Sequence, residues 1–287
     1  YVGNGNADGP EINLGWEPQW VLIKNTTTAK PWCMHDMMRG FWNNGTSDDI
    51  TLFPNLTNAE LAFGVGEFTS TGFKLRTSDT NWNNNNDTYI FTAIRRPDGY
   101  CGKPYGAGEG TSVFAMDTQI ANGYPMYISN FVVDYALHRD PTHSGSWEGD
   151  WFSVSRLQGP DTLITNGNDS EQSGSWQHWD YNNGFGENGS TSYTDWQAWM
   201  WKRHAGFDVV CYTGNGTAGR QIPHSLNKTV EMIWVKKRDA TGNWRVGHKS
   251  LNGGSNPWTY NIQLETGAET NYDVFGNAPT STHFSLT

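Results

Sequence analysis

The sequence predicts an all-β protein made of tandem antiparallel β-sandwich domains, and three observations predict it. The chain repeats one unit of about 105 residues roughly two and two-thirds times. Its apolar runs are short and end in turn dipeptides, including Asn-Gly at 44–45, 122–123, 188–189 and 252–253 and Asp-Gly at 98–99. Charged residues make up only 17% while aromatics reach 14%, a balance that excludes a disordered chain. Short strands with frequent turn signals point to sandwiches rather than helices.

The repeat is read from landmarks that recur in order. Tyr-x-Gly-type openings stand at Tyr1 (YVGNG), Tyr105 (YGAGEG) and Tyr212 (YTGNG). Each is followed by an apolar strand: WVLIKN from Trp20, VVDYALHRD around Tyr135 and MIWVKKRD from Met232. A tryptophan then opens the next strand, at Trp32, Trp151 and Trp244, with a longer insertion in the middle copy. Glu60, Glu171 and Glu269 come next, each ahead of a phenylalanine, Phe73, Phe185 or Phe284. Arg95-Arg96 and Lys202-Arg203 close the first two copies, and each pair is separated by eight residues from the next Tyr. MHDMMRGF at 34–41 reads as a helical turn or a strand end.

A period near 105 is the size of an autonomous domain rather than of a solenoid turn. The expected domains are 1–103, 104–210 (divergent, with insertions) and 211–287. The third copy has no counterpart of the closing strands YIFTAIRR and DWQAWMWKR. The expectation is therefore a segment of a longer polypeptide, with the third sandwich completed by residues beyond Thr287 or by a strand from a neighbouring subunit.

Charge and motifs narrow the function. A formal net charge of −10 disfavours nucleic acid and anionic membranes, and no run reaches the ~18 apolar residues of a membrane span. Cys33, Cys101 and Cys211 sit at non-equivalent places and fit neither a disulfide framework nor a zinc site. No hydrolase or P-loop string occurs, and GAGEG at 106–110 lacks the third glycine and the βαβ context of a dinucleotide loop. Glu60, Glu171 and Glu269 fall one per repeat, which does not make a glycosidase pair, so structural roles are expected for them. The Asp-rich stretches at 47–49 and 79–87 lack calcium-loop spacing. Neither a catalytic residue, nor a cofactor, nor a metal is expected.

The tryptophans divide into two sets. Trp20, Trp32, Trp151, Trp196 and Trp244 occupy repeated positions and are expected in the cores. Trp42, Trp82, Trp147, Trp176, Trp179 and Trp258 lie in Asn/Gly/Ser-rich loops without counterparts. Rings there can stack on sugars or anchor a partner, so these six are the candidate ligand-binding residues.

The string YTGNGTAGRQIPHSLNKTVEMIWVKKRD, its following W-x-V-x-H strand and NAPTSTHFSL resemble a tandem module of marine bacteriophage, especially cyanophage, structural and tail-fibre-like proteins. YVGNG, WVLIKN, TSTGFKL, YIFTAI and DGY carry the resemblance in the first copy, and the middle copy departs most. The resemblance implies a concanavalin- or laminin-G-like sandwich, a virion location and a non-enzymatic role in a tail fibre or other appendage that attaches to the host. The implied partners are other virion proteins, further copies of the chain and a host-surface glycan, without nucleic acid or membrane insertion. The alternative is a carbohydrate-binding module array of a secreted or surface bacterial protein.

Overall fold

A computed structural model describes residues 1–41, 49–96, 113–120, 124–145, 147–174, 177–187, 195–204, 206–265 and 267–287. Trp42, Trp176, Cys101, the GAGEG segment and the junction near 102–104 lie outside the described residues. The chain forms two compact units. The first comprises Tyr1–Gly110, Pro141–Gly149 and Thr266–Ala268. The second comprises Thr111–Asp140, Asp150–Glu265 and Glu269–Thr287, and so holds most of the second and third sequence repeats.

The fold is all-β, with antiparallel sheets of sandwich character. The first repeat runs β1 (Glu11–Asn13), β2 (Pro18–Asn25), β3 (Trp32–Asp36), β4 (Ile50–Thr51), β5 (Leu61–Ala62), β6 (Gly66–Thr69), β7 (Gly72–Leu75), a one-turn helix α1 (Thr80–Asn83) and β8 (Tyr89–Arg95). The second gives β9 (Phe114–Thr118), β10 (Tyr127–Ile128), β11 (Tyr135–Arg139), β12 (Phe152–Ser155), β13 (Leu163–Ile164), β14 (Gln177–His178), β15 (Gly184–Glu187) and β16 (Gln197–Trp201). The third gives β17 (Arg220–Pro223), β18 (Met232–Val235), β19 (Arg245–His248), β20 (Ile262–Gln263) and β21 (His283–Leu286). The ambiguous MHDMMRGF stretch resolves into the end of β3 and a 3-10 turn at Met37–Arg39, capped by Asp36 Oδ1 accepting from Arg39 N at 3.0 Å.

The same pairings recur at matched registers. A hairpin joins β2 to β3, β11 to β12 and β18 to β19. A shorter strand pairs β1 with β7, β10 with β15 and β17 with β21. The landmark phenylalanines sit opposite one another's equivalents there: Phe73 against Ile12, Phe185 against Tyr127 and Phe284 against Ile222. All three are buried, so an aromatic ring fills the same core position in each repeat. Gly72 and Gly184 precede the first two because nothing larger fits: a Cβ would lie 1.8 Å from Ile12 O and 2.0 Å from Tyr127 O.

The apolar central strand carries the difference between repeats. β2 lies between β3 and β8, and β11 lies between β12 and β16. Among the described residues β18 stands at the edge of its sheet, next to β19. Its residues Trp234 and Val235 are accordingly only half-buried, whereas β2 is buried over most of its length.

Candidate interaction sites

Each hairpin carries a cation against a tryptophan. Lys24 faces Trp32 directly across the first hairpin. In the second, Arg139 follows the His138–Phe152 pair and its guanidinium lies 5.2 Å over the Trp151 ring. In the third, Lys236 and Trp244 take the place after the Val235–Arg245 pair. The tryptophan N–H is held the same way each time: Trp32 N donates to Asn55 Oδ1 (2.9 Å), Trp151 N to Asn166 Oδ1 (2.8 Å) and Trp244 N to Glu265 Oε1 (2.6 Å). All three indoles are buried, as is Trp20 and as is Trp196, which lies just before β16 at the place corresponding to Tyr89, the first residue of β8. Burial lowers the Lys24 pKa to about 8 and also lowers that of Lys236. The ammonium groups end on backbone carbonyls, Lys24 Nζ on Lys30 O and Lys236 Nζ on Lys237 O and Asn168 O.

In the second and third hairpins the turn after the cation receives the loop of the preceding repeat through two backbone hydrogen bonds in one register. Within the first unit, Glu60 N donates to Pro141 O (2.8 Å) and Gly145 N donates to Thr57 O (3.2 Å). Within the second unit, Glu171 N donates to Arg238 O (2.7 Å) and Gly242 N donates to Asn168 O (2.8 Å). The positions correspond residue for residue. Pro141 and Arg238 are each the second residue after the cation, and Gly145 and Gly242 the sixth. Thr57 and Asn168 are each the second residue after the Asn that caps the tryptophan, and Glu60 and Glu171 the fifth. A surface contact arising by accident would not repeat four positions at once. We call this arrangement the clasp.

Side chains reinforce the second clasp. Glu171 accepts a bidentate pair from Arg238 (2.8 Å each), and Trp244 Nε1 donates to Ile164 O at 2.9 Å. In the first repeat the Glu60 carboxylate instead accepts from Arg39 (2.6 Å), and Glu269 of the third accepts from Asn252 N (2.8 Å). Each recurrent glutamate thus serves a structural hydrogen bond.

The loop tryptophans separate on inspection of their surroundings. Trp147 is 51% exposed. Trp82, Trp179 and Trp258 are buried and leave no ring face for a sugar, which corrects their assignment as ligand contacts. Trp82 lies on α1, whose N-terminus Asp79 caps, and its Nε1 donates to His35 Nε2 at 2.9 Å. Trp179 donates to Gly159 O (2.8 Å) beneath the Arg156 guanidinium. Trp258 packs edge-on to Phe275, over Gly247, where a Cβ would come within 2.9 Å of the indole. Trp42 and Trp176 lie outside the described residues.

The acidic loops are likewise used by the fold. Asp49 Oδ2 accepts from Val65 N and Gly66 N (2.8 and 2.9 Å), and Asp87 Oδ2 accepts from Asn25, Thr28 and Asn84 at 2.8 Å each. Among the described residues no group of three or more His, Cys, Asp or Glu side chains gathers to hold a metal ion. Cys33 is buried and Cys211 exposed, both as free thiols, and no described helix is long and apolar enough to cross a membrane.

A family model described as Domain of unknown function (DUF7483) matches residues 1–96 and 142–287. No curated protein and no solved structure matches the chain.

Proposed function

The chain belongs to the family of that domain of unknown function, DUF7483, and we propose that it is a non-enzymatic structural protein of a bacteriophage virion, a segment of a tail fibre or other appendage that meets the host surface. The clasp is the observation that supports this reading most. A contact repeated at corresponding positions within each unit is what a protein built from repeated modules displays. The virion location rests on the resemblance of the repeat to cyanophage structural modules. Mass spectrometry of purified particles, set against the secreted fraction of the same culture, tests the proposal. Stoichiometric presence in washed particles is the expected result. Recovery in the secreted fraction with none in the particles would overturn it and favour a carbohydrate-binding array of a bacterial surface or secreted protein. The exposed Trp147 ring is the observation that speaks for a glycan partner in either setting.

A further inference from the structure

The opening segments of the first and third repeats share one local structure. Tyr1–Gly5 and Tyr212–Gly216 both read Tyr-x-Gly-Asn-Gly. Tyr1 meets Phe73 edge-on at 6.3 Å and 79°, and Tyr212 meets Phe284 edge-on at 6.4 Å and 74°. Asn4 Oδ1 accepts from Asn6 N, and Asn215 Oδ1 accepts from Thr217 N, each at 3.0 Å. Gly5 and Gly216 take φ +65° and +68°. Each repeat thus builds the same platform beside its own core phenylalanine.

In the first repeat that platform is covered by the segment Asn83–Tyr89. Gly3 N donates to Asp87 O (2.9 Å), Gly5 N to Asn83 O (3.1 Å), Asn86 N to Gly3 O (2.9 Å) and Tyr89 N to Tyr1 O (2.8 Å). The Tyr89 ring stacks on Tyr1 at 4.8 Å. In the third repeat every residue from Cys211 to Gly219 is exposed. Among the described residues the amides of Tyr212, Gly214 and Gly216 donate to nothing, and Phe284 is the one aromatic ring beside Tyr212. The Arg220 guanidinium lies 5.8 Å from the Tyr212 ring centroid and bonds Thr213 O.

Nothing among the described residues requires a glycine at 214. Its φ is not left-handed, and a Cβ there would have no heavy atom within 4 Å. At the matching Gly3 a Cβ would lie 2.1 Å from Asn84 O, because the covering segment comes that close. Gly214 leaves the same room for an approaching backbone.

We propose that Tyr212–Gly216 is a docking edge for an extended segment of another protein chain, of the Asn83–Tyr89 kind, whose backbone pairs at Gly214 and whose aromatic ring stacks on Tyr212. Backbone pairing supplies the affinity, while the ring and the close approach at Gly214 supply the selection. A second copy of the chain is not the source, because its own Asn83–Tyr89 is already held by Tyr1–Gly5. The partner's chemistry follows from the two repeats and does not depend on the virion reading.

The test is binding of a synthetic peptide of residues 79–91 to the intact 287-residue chain, followed by fluorescence anisotropy, with Gly214→Val and Tyr212→Ala alongside the wild type. The peptide should bind the wild type saturably. Gly214→Val should lose about tenfold or more in affinity. It should nevertheless melt at or above the wild-type temperature, because its side chain meets nothing in the free chain. Tyr212→Ala, or Tyr89→Ala in the peptide, should weaken binding by about twofold to tenfold. No binding by the wild type, or binding unchanged by Gly214→Val, would overturn the docking edge. A lowered melting temperature for Gly214→Val would show that the glycine serves its own repeat and likewise overturn it. Self-association of the intact chain that Gly214→Val abolishes would make a second copy the occupant and overturn the assigned source.

Discussion

Acid should unfold the first unit through His35, and the size of the effect follows from its surroundings. His35 is fully buried on β3, with its ring 4.3 Å from Phe41 and its Nε2 accepting the Trp82 indole proton at 2.9 Å. An Nε2 that accepts is unprotonated, so the folded state holds the neutral ring. Burial accordingly lowers its pKa from 6.5 to about 3. The unfolded chain therefore binds a proton that the folded chain refuses whenever the pH lies between those values. Stability from this group is fully present above pH 6.5 and declines as the pH falls towards 3. At about 1.4 kcal/mol per pH unit, the two units from 6.5 to 4.5 correspond to at most about 3 kcal/mol. Val154 occupies the matching place in β12, two residues beyond Phe152 as His35 is two beyond Cys33, and supplies the natural replacement. The perturbation is His35→Val combined with Trp82→Phe, so that no indole N–H is left buried without an acceptor. Urea unfolding of wild type and double variant at pH 7 and pH 4.5 is the assay. The variant should gain on the wild type by up to about 3 kcal/mol over that interval, because the carboxylates common to both cancel in the comparison. An identical pH dependence in the two proteins would refute the argument, and would mean that His35 is protonated or hydrated in the folded state.

Three further outcomes are expected. Lys24, with its pKa lowered by burial from 10.5 to about 8, costs stability at neutral pH, a cost that fades as pH rises from 8 to 10.5. Lys24→Met should therefore be stabilising at pH 7 by at most about 3 kcal/mol, and a denaturation series up to pH 10.5 should show the advantage shrinking; an advantage independent of pH would contradict this. Gly72→Ala should destabilise the first unit by about 2 kcal/mol or more, because the new Cβ would force β1 and β7 apart, and an unchanged melting temperature would show that the ladder is looser than described. Trp244→Phe keeps a ring in the core but removes the donor to Ile164 O, and should cost about 1 kcal/mol or more in calorimetry; a cost matched by Trp151→Phe, whose indole N–H has no hydrogen-bond partner among the described residues, would remove Ile164 as the reason.

Much of the fold could be read from the residues, because repetition doubles each signal. The phenylalanines at 73, 185 and 284 and the tryptophans at 32, 151 and 244 fall at matched registers, since a side chain that fills a core must return wherever that core returns. The loop tryptophans were not legible in the same way. Asn, Gly and Ser around Trp82, Trp179 and Trp258 mark turns, but turn chemistry does not say whether the turn folds outward or over a core. In each case the partner that draws the ring inward is distant in sequence: His35 for Trp82, Gly159 for Trp179, and the bare backbone of Gly247 for Trp258. The clasp escaped for a different reason. Its bonds join backbone groups, so Pro141 and Arg238 serve equally well and leave no common residue type. The signal that could have revealed it is spacing, with Gly145 and Gly242 each six residues after the hairpin cation.

The clasp also changes what a core substitution should do. Repeats read as independent beads would each lose stability alone, whereas the second and third are tied by Glu171, Arg238, Gly242 and Trp244 within one compact unit. Hydrogen exchange at the four clasp amides, Glu60, Gly145, Glu171 and Gly242, measures this most directly. The account predicts that all four exchange far more slowly than open-loop amides, and that Glu171→Pro, which removes one donor, releases Gly242 with it while leaving Glu60 and Gly145 protected. Exchange of Glu60 and Glu171 at the rate of free loops in the intact chain would contradict the shared clasp on which the proposed reading depends.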